Sequence, residues 1–388
     1  VSVQATPVRS GRKNPSVPSR YTAISLYAGA GGLDRGFSAA EFKLLWAIDS
    51  DREAVKTYRQ NLGDHVVCGK LPAVSPPAGL RPDVIIGGPP CQGFSVIGRM
   101  DPEDPRSRQV HCFLDVVEDL EPRAFCMENV KALAVADRWA SVRDSLIQRA
   151  RELEYQVELM VLNAADYGVP QARERMFLVG IRGGSPLCPT PITKGDPPSV
   201  RGALSALPPF GDRGNDTSSP AKVVPAKKPI MRPSAYRGSL LFNGSGRPLQ
   251  LDQPAKTLPA SMGGNATPIL DQDELALEAE PWVVEYHRRL EEGRRPLRKA
   301  PKRMRRITVE EAAALQTFPP NWRWRGSQAA RYRQIGNAVP PALAARVAAT
   351  LREALEAIDR EQIDSSGGSA LSGRYVVACE RNSQRSSA

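Results

Sequence analysis

The chain has 388 residues, enough for about two domains, and its 41% hydrophobic and 24% charged content is that of a soluble globular protein. No apolar run approaches the roughly 20 residues that span a bilayer, and six scattered cysteines without a Cys-x-x-Cys pair, beside three histidines, argue against a zinc site or a disulfide scaffold. A reducing cytoplasm and no metal are therefore expected, and the net charge of +11 points to an anionic partner.

Residues 1–20 carry Arg9, Arg12, Lys13 and Arg20 among Pro and Ser, with no apolar stretch after them. They read as a basic flexible segment and not as a secretory signal. Residues 22–27 form an apolar strand, followed by a glycine turn at Gly29, Gly31 and Gly32 and then a helix. Glycines there let a ligand approach the backbone. The spacing is Gly-x-Gly-Gly, not the dinucleotide form Gly-x-Gly-x-x-Gly, so the turn alone is a weak nucleotide signal. A second strand, 42–48, ends at Asp49, about 20 residues past the turn, where an acidic side chain accepts from ribose hydroxyls. The spacing equally allows Asp49 to cap the helix expected over 51–62.

A buried strand over 83–87 runs into Gly87-Gly88-Pro89-Pro90-Cys91-Gln92. Two prolines without amide donors hold the chain stiff and extended, so Cys91 is presented from a rigid loop at the strand's carboxyl edge. Residues 95–108 are polar and marked by Gly and Pro, suited to a closing loop or to a plain surface loop. A helix over 109–120, a strand over 124–128 ending at Glu128 and a helix over 138–153 follow. Residues 155–181 read as a hairpin-like pair with strands at 156–162 and 175–181. Such alternation predicts a mainly parallel sheet with helices on both faces. Arg173 and Arg175, two apart, share one strand face.

Past Gly183 the texture becomes rich in Pro, Gly and Ser without period, through about residue 235. From Ile181 to Arg306 there are 21 Lys and Arg against 12 Asp and Glu, and residues 287–306 alone carry ten basic and two acidic side chains. Charge concentrated between two ordered halves suits a polyanion such as DNA. Thr308 and Glu311 form a capping-box pattern for a helix through Gln316 that stops before Pro319. Leu343, Val347, Leu351, Leu355 and Ile358 recur at helical spacing, so that helix packs an apolar face back on the first domain. Residues 363–388, rich in Ser and Gly, read as a disordered tail.

Six segments in order resemble the cytosine-C5 DNA methyltransferases. They are Tyr27-Ala28-Gly29-Ala30-Gly31-Gly32, Pro89-Pro90-Cys91-Gln92, Met127-Glu128-Asn129-Val130, Gln171-Ala172-Arg173-Glu174-Arg175, the pair Arg306–Ala312 and Leu315–Pro319, and Gln334–Pro341. The resemblance implies a Rossmann-like, mainly parallel methyltransferase sheet flanked by helices, with a smaller inserted target-recognition domain. The expected parts are a catalytic and cofactor domain over 21–182, target recognition over 183–304 around Thr257-Leu258 and Gly263–Thr267, and a return to the catalytic domain over 305–362. It implies a bacterial, cytoplasmic, monomeric modification enzyme acting on double-stranded DNA, paired with a restriction endonuclease or acting alone.

The resemblance also implies the chemistry. S-adenosylmethionine would lie against Tyr27, Ala28, Gly29, Ala30, Gly31, Gly32, Asp49, Pro89, Asn337 and Ala338, leaving as S-adenosylhomocysteine. C5 of cytosine is too weak a nucleophile to take a methyl group unaided. Addition of the Cys91 thiolate to C6 makes C5 carbanion-like, and Glu128 faces N3 and the N4 amino group. Arg173 lies near the pyrimidine O2, with Arg175 supporting. The base must flip out of the duplex to be reached. One position departs from the family: an acidic residue that usually faces the adenine amino group is replaced by Lys70, which has no acceptor. A tRNA methyltransferase of the same architecture is the nearest rival, though its Cys-Phe-Thr element is missing. A nucleotide-dependent oxidoreductase lacks its glycine motif here, and an inactive DNA-binding regulator would have lost Cys91 or Glu128.

Overall fold

The computed structural model describes residues 21–90 and 108–366. In chain order the first part holds β1 (Tyr21–Leu26), α1 (Gly32–Ala39), β2 (Phe42–Asp49), α2 (Arg52–Leu62), β3 (Val66–Cys68), β4 (Val84–Gly87), α3 (Gln109–Leu120) and β5 (Ala124–Val130). It continues through α4 (Lys131–Val135), α5 (Ala140–Glu152), β6 (Gln156–Asn163), β7 (Gln171–Ala172) and β8 (Glu174–Ile181). The expected strands and helices are all present. β3, β7 and α4, of two to five residues, went unpredicted because they are too short to show a period.

Seven strands form one sheet in the order β3-β2-β1-β4-β5-β8-β6. All neighbours pair in parallel except β8, which lies antiparallel between β5 and β6. The pleat sends alternate residues to opposite faces. Val84, Ile86, Ala124 and Cys126 join a core with Leu33, Phe37, Leu343, Val347, Leu351, Leu355 and Ile358, from α1 and the last helix. Ile85, Phe125 and Met127 join a second core with Phe113 and Val117 of α3 and Leu146 and Ala150 of α5. Helices thus cover both faces, as a parallel sheet requires.

The second part holds α6 (Val200–Leu204), β9 (Pro225–Ile230), β10 (Leu240–Phe242), β11 (Ala255–Lys256), β12 (Ile269–Asp271), α7 (Gln272–Leu277), α8 (Trp282–Glu291) and β13 (Met304–Arg306). Its strands pair only two by two, and Phe242, Tyr286 and Met304 form its own apolar cluster. β11 pairs with β7, placing Ala255 opposite Gln171. The chain closes with α9 (Val309–Leu315), α10 (Gln328–Asn337) and α11 (Pro341–Ser366). The capping box at Thr308 is formed, with Glu311 N donating to Thr308 Oγ1 at 3.0 Å and Thr308 N to Glu311 Oε2 at 2.9 Å. Ile307, Leu315, Phe318 and Ile335 share their core with Leu204, Leu249 and Leu258. The return to the sheet is therefore made by α11, which runs to Ser366, past the boundary expected at 362.

Candidate active site

The strand order reverses between β1 and β4, and a cavity of about 380 Å³ opens at the carboxyl ends of the strands there, where open α/β sheets bind ligands. Tyr27, Ala28, Gly29, Ala30, Gly32 and Asp49 line it. So do Pro89, Glu128, Arg173, Arg175, Asn337 and Ala338. The sheet has gathered sequence-distant segments around one space. Gly31 is the expected cofactor residue that faces elsewhere: a Cβ on it would lie 2.4 Å from Leu62 Cδ1 and 3.1 Å from Tyr58 Cδ2.

The glycine turn divides its work. Gly29, at φ 56°, has nothing within 4 Å of where a Cβ would stand. Gly32 carries no side chain because a Cβ would lie 2.4 Å from the Val339 carbonyl oxygen. Gly29 thus keeps the ligand space open, and Gly31 and Gly32 let α1 pack. Tyr27 is anchored by its hydroxyl, which donates toward Gln109 at the start of α3, 3.1 Å from its carbonyl and 3.0 Å from Oε1.

Asp49 does not cap α2; Asp51 does, accepting from Glu53 N at 2.9 Å. Asp49 Oδ2 instead accepts from Gly29 N at 2.8 Å and Oδ1 from Asp51 N at 2.7 Å, tying the turn to the end of β2. Burial pushes its pKa up against those donations. Ser50, Asp51 and Arg333 complete this end, with Arg333 Nη2 2.9 Å from Asp51 Oδ2. Lys70 is exposed and is not among the cavity walls.

At the far end β4 and β5 run side by side, Gly87 opposite Met127, so Glu128 emerges beside the Gly88-Pro89-Pro90 segment. Glu128 is 8% exposed. Its Oε1 lies 3.0 Å from Arg175 Nε, and its Oε2 lies 3.0 Å from where a Cβ on Gly88 would stand. Burial raises its pKa, while Arg175 first and Arg173 second hold it down. Arg173 is buried, its guanidinium donating to Leu258 O at 3.2 Å and Gly336 O at 2.8 Å. Cys91 and the expected closing loop through residue 107 lie outside the described residues.

Several contributors were not singled out from sequence. Asn129 Nδ2 donates to Pro89 O at 3.2 Å, and its Oδ1 accepts from Val130 N at 2.9 Å. Gln171 accepts from Leu258 N at 2.9 Å and donates to Gln316 Oε1 at 3.1 Å, joining three parts of the chain. Both residues fall within quoted motifs, but their partners are distant in sequence. Of the basic run, Arg303 pairs with Asp271 at 2.5 Å and Arg305 with Glu311 at 2.6 Å. Buried Arg306 donates to Thr267 O at 2.7 Å and Asn243 O at 3.0 Å. Arg288, Arg294, Arg295, Arg298, Lys299 and Lys302 are the exposed members. Among the described residues no group of His, Cys, Asp and Glu could hold a metal ion, and no helix is long and apolar enough to cross a membrane.

An open α/β sheet with a glycine turn, a carboxylate one strand over and a buried acid two strands beyond defines a nucleotide-cofactor enzyme. The chain belongs to the C-5 cytosine-specific DNA methylases, whose family description matches residues 21–353. It is 32% identical over 349 residues to the type II methyltransferase M.AplI of Arthrospira platensis, covering 88% of this chain and 89% of that one. It is 31% identical to the type II methyltransferase M1.HphI of Haemophilus parahaemolyticus, covering 84% and 85%. The fold is similar to that of the Entamoeba histolytica methyltransferase EhMeth, with a TM-score of 0.61 at 15% identity, covering 86% of this chain and 98% of that one. It is also similar to the S. pombe Dnmt2 methyltransferase, at 0.60 and 17%, covering 88% and 100%.

Proposed function

We propose that the protein transfers a methyl group from S-adenosylmethionine to C5 of a cytosine in a specific duplex DNA sequence, as the modification partner of a restriction endonuclease. The observation that carries the reading is a buried, arginine-bound Glu128 set against the segment that leads to Cys91, in a cavity shared with the glycine turn. The walls fit the cofactor. Gly29 leaves space where a side chain would stand, and each Asp49 oxygen keeps a lone pair for a ribose hydroxyl after its backbone contact. Asn337 and Ala338 continue the wall, with Ala338 beside Gly32. When bound, the cofactor supplies an electrophilic methyl group.

The Cys91 thiolate adds to C6 of the flipped cytosine, and Glu128 gives a proton to N3 as charge moves onto the ring. C5 then has the electron density to take the methyl group. Water takes the C5 proton as the Cys91 thiolate is expelled from C6, which restores the aromatic ring, and Glu128 recovers its proton from N3. Burial suits Glu128 to this role because it keeps the proton to higher pH than an exposed carboxyl would. Arg175 orients Glu128. Because both terminal nitrogens of Arg173 are engaged by backbone carbonyls, we assign the pyrimidine O2 to Arg175 and a bracing role to Arg173, which exchanges the roles the sequence suggested.

The test compares methyl incorporation into duplex DNA and into tRNA, followed by bisulfite sequencing of DNA from an expressing host. Methylated cytosines at one recurring DNA sequence are expected. Incorporation into tRNA alone would overturn the reading.

A further inference from the structure

Asp34 is a buried carboxylate in the cavity wall to which the chemistry above gives no task. It lies in the first turn of α1, is 0% exposed and lines the cavity. Its Oδ1 accepts from Tyr58 Oη at 2.8 Å, and Tyr58 Oη lies 3.0 Å from His65 Nε2. A phenol has one hydrogen, and here it goes to Asp34, so His65 is the donor to Tyr58. The chain of donors runs one way and ends on the carboxylate.

The other oxygen, Asp34 Oδ2, and the buried hydroxyl of Ser25 on β1 make no well-formed hydrogen bond among the described residues, and the Ser25 hydroxyl is the one side-chain donor near enough to Asp34, besides Tyr58, to lower its pKa. Both residues line the same cavity. One poorly placed neutral hydroxyl compensates a buried carboxylate oxygen only in part, and the remainder is costly. Burial pushes the Asp34 pKa up to about 6, with Asp49 on β2 adding like charge and with Tyr58 and the nearby Ser25 hydroxyl acting the other way. The arrangement calls for a ligand group that is cationic and carries N–H donors.

The sheet order places that group. Asp49 at the end of β2 marks the ribose, and Glu128 at the end of β5 marks the base, with β1 and β4 between them. Ser25 and Asp34 belong to β1 and the helix that follows it, so they face the part of the cofactor beyond its ribose. S-adenosylmethionine has two positive groups there. The sulfonium has no hydrogen to donate, whereas the α-ammonium has three. We propose that Asp34, braced by Tyr58, is the carboxylate that receives the α-ammonium group of the cofactor's amino-acid end. This rests on the S-adenosylmethionine reading of the cavity.

The test uses S-adenosylhomocysteine, which has the ammonium but no sulfonium, and its analogue lacking the α-amino group, with affinities measured by calorimetry on the full chain. Wild type should prefer S-adenosylhomocysteine by about tenfold or more, as for a charge-assisted hydrogen bond. Asp34→Asn keeps an acceptor for Tyr58 but removes the charge, and should abolish most of that preference. An unchanged preference in Asp34→Asn would overturn the assignment. A second measurement needs no variant. The wild-type preference should shrink as pH falls through about 6, because a protonated Asp34 no longer holds the ammonium. Asp49 and Glu128 face both ligands alike, so their titration cancels in the ratio. A preference that is flat with pH would also overturn the assignment. Failure of wild type to bind either ligand is a different result, and it would remove the cofactor reading itself together with this assignment.

Discussion

Asn129 and Pro89 are joined by a hydrogen bond, side-chain Nδ2 to backbone oxygen at 3.2 Å. It ties the end of β5 to the stiff segment that leads to Cys91. Because Pro89 and Pro90 remove amide donors from that segment, a side chain must anchor it, and Asn129 does so through a carbonyl. The same strand end presents Glu128, so one short piece of β5 sets both the proposed acid and the root of the segment that leads to the proposed nucleophile.

Asn129→Ala should therefore lower turnover on the order of 100-fold by misplacing the loop root, with a smaller loss of cofactor affinity because Pro89 also lines the cavity. Single-turnover methyl transfer beside calorimetry checks this. A loss confined to cofactor binding would contradict it.

Cys91→Ala should abolish methyl transfer while DNA binding persists. Duplex DNA carrying 5-fluorocytosine at the target should trap the wild type as a covalent adduct, since fluorine does not leave as a proton does, and should fail to trap the variant. Adduct formation by Cys91→Ala on a denaturing gel would rule out this nucleophile.

Glu128→Gln should cost about 10²–10⁴-fold in turnover. In the proposed mechanism the protonated acid is the active form, and its pKa is raised by burial, so turnover should fall as pH rises through that value. Arg175 holds the pKa down, so Arg175→Ala should move this alkaline limb to higher pH while lowering the maximum. The sign for stability follows as well. A carboxyl whose folded pKa lies above its unfolded value favours the fold while protonated, and that contribution is lost as pH rises from the ordinary range through the raised value. pH–rate profiles of the three proteins test the order of the limbs.

The glycines of the turn should separate. Gly32→Ala meets the Val339 carbonyl and should destabilise by about 1–3 kcal/mol. Gly29→Ala meets open space at φ 56°, costing about 1–2 kcal/mol for the left-handed backbone, and should weaken cofactor binding as well. Thermal melts and calorimetry distinguish a packing glycine from a ligand-facing one.

The basic run should separate too. Replacing exposed Arg294, Arg295 and Arg298 with Ala should weaken binding to all DNA alike and reduce the salt slope by up to about 2.7, without loss of stability. Arg306→Ala should instead destabilise by about 1–3 kcal/mol, because the Thr267 and Asn243 carbonyls lose a buried donor. Filter binding across a salt series and thermal melts give the two readouts.

Much of the fold was legible because its signals are local. Apolar runs punctuated by Gly and Pro mark β1, β4 and β5, and the spacing of Leu343, Val347, Leu351, Leu355 and Ile358 marks α11 and its buried face. Motif order also located the cavity walls, since strands of an open sheet bring their carboxyl ends to one side. The second part was less legible, because its strands of two to six residues are held by cross-chain contacts and not by their own period.

What the sequence determined by itself was the chemistry available and the class of sheet that presents it, since residue types, turn glycines and hydrophobic period act over neighbouring positions. What only the tertiary structure decided was the division of labour among like residues. Asp49 and Asp51 differ by two positions, yet one ties the glycine turn and the other caps a helix. Arg173 and Arg175 are two positions apart, yet Arg173, between β7 and β8, braces backbone carbonyls and Arg175, on β8, holds Glu128. Arg295 and Arg306 belong to one basic run, yet one is exposed and one is buried. Apart from the local cap at Asp51, these outcomes depend on whether folding brings a distant backbone or carboxylate group within about 3 Å, and that distance is set by packing across the whole chain.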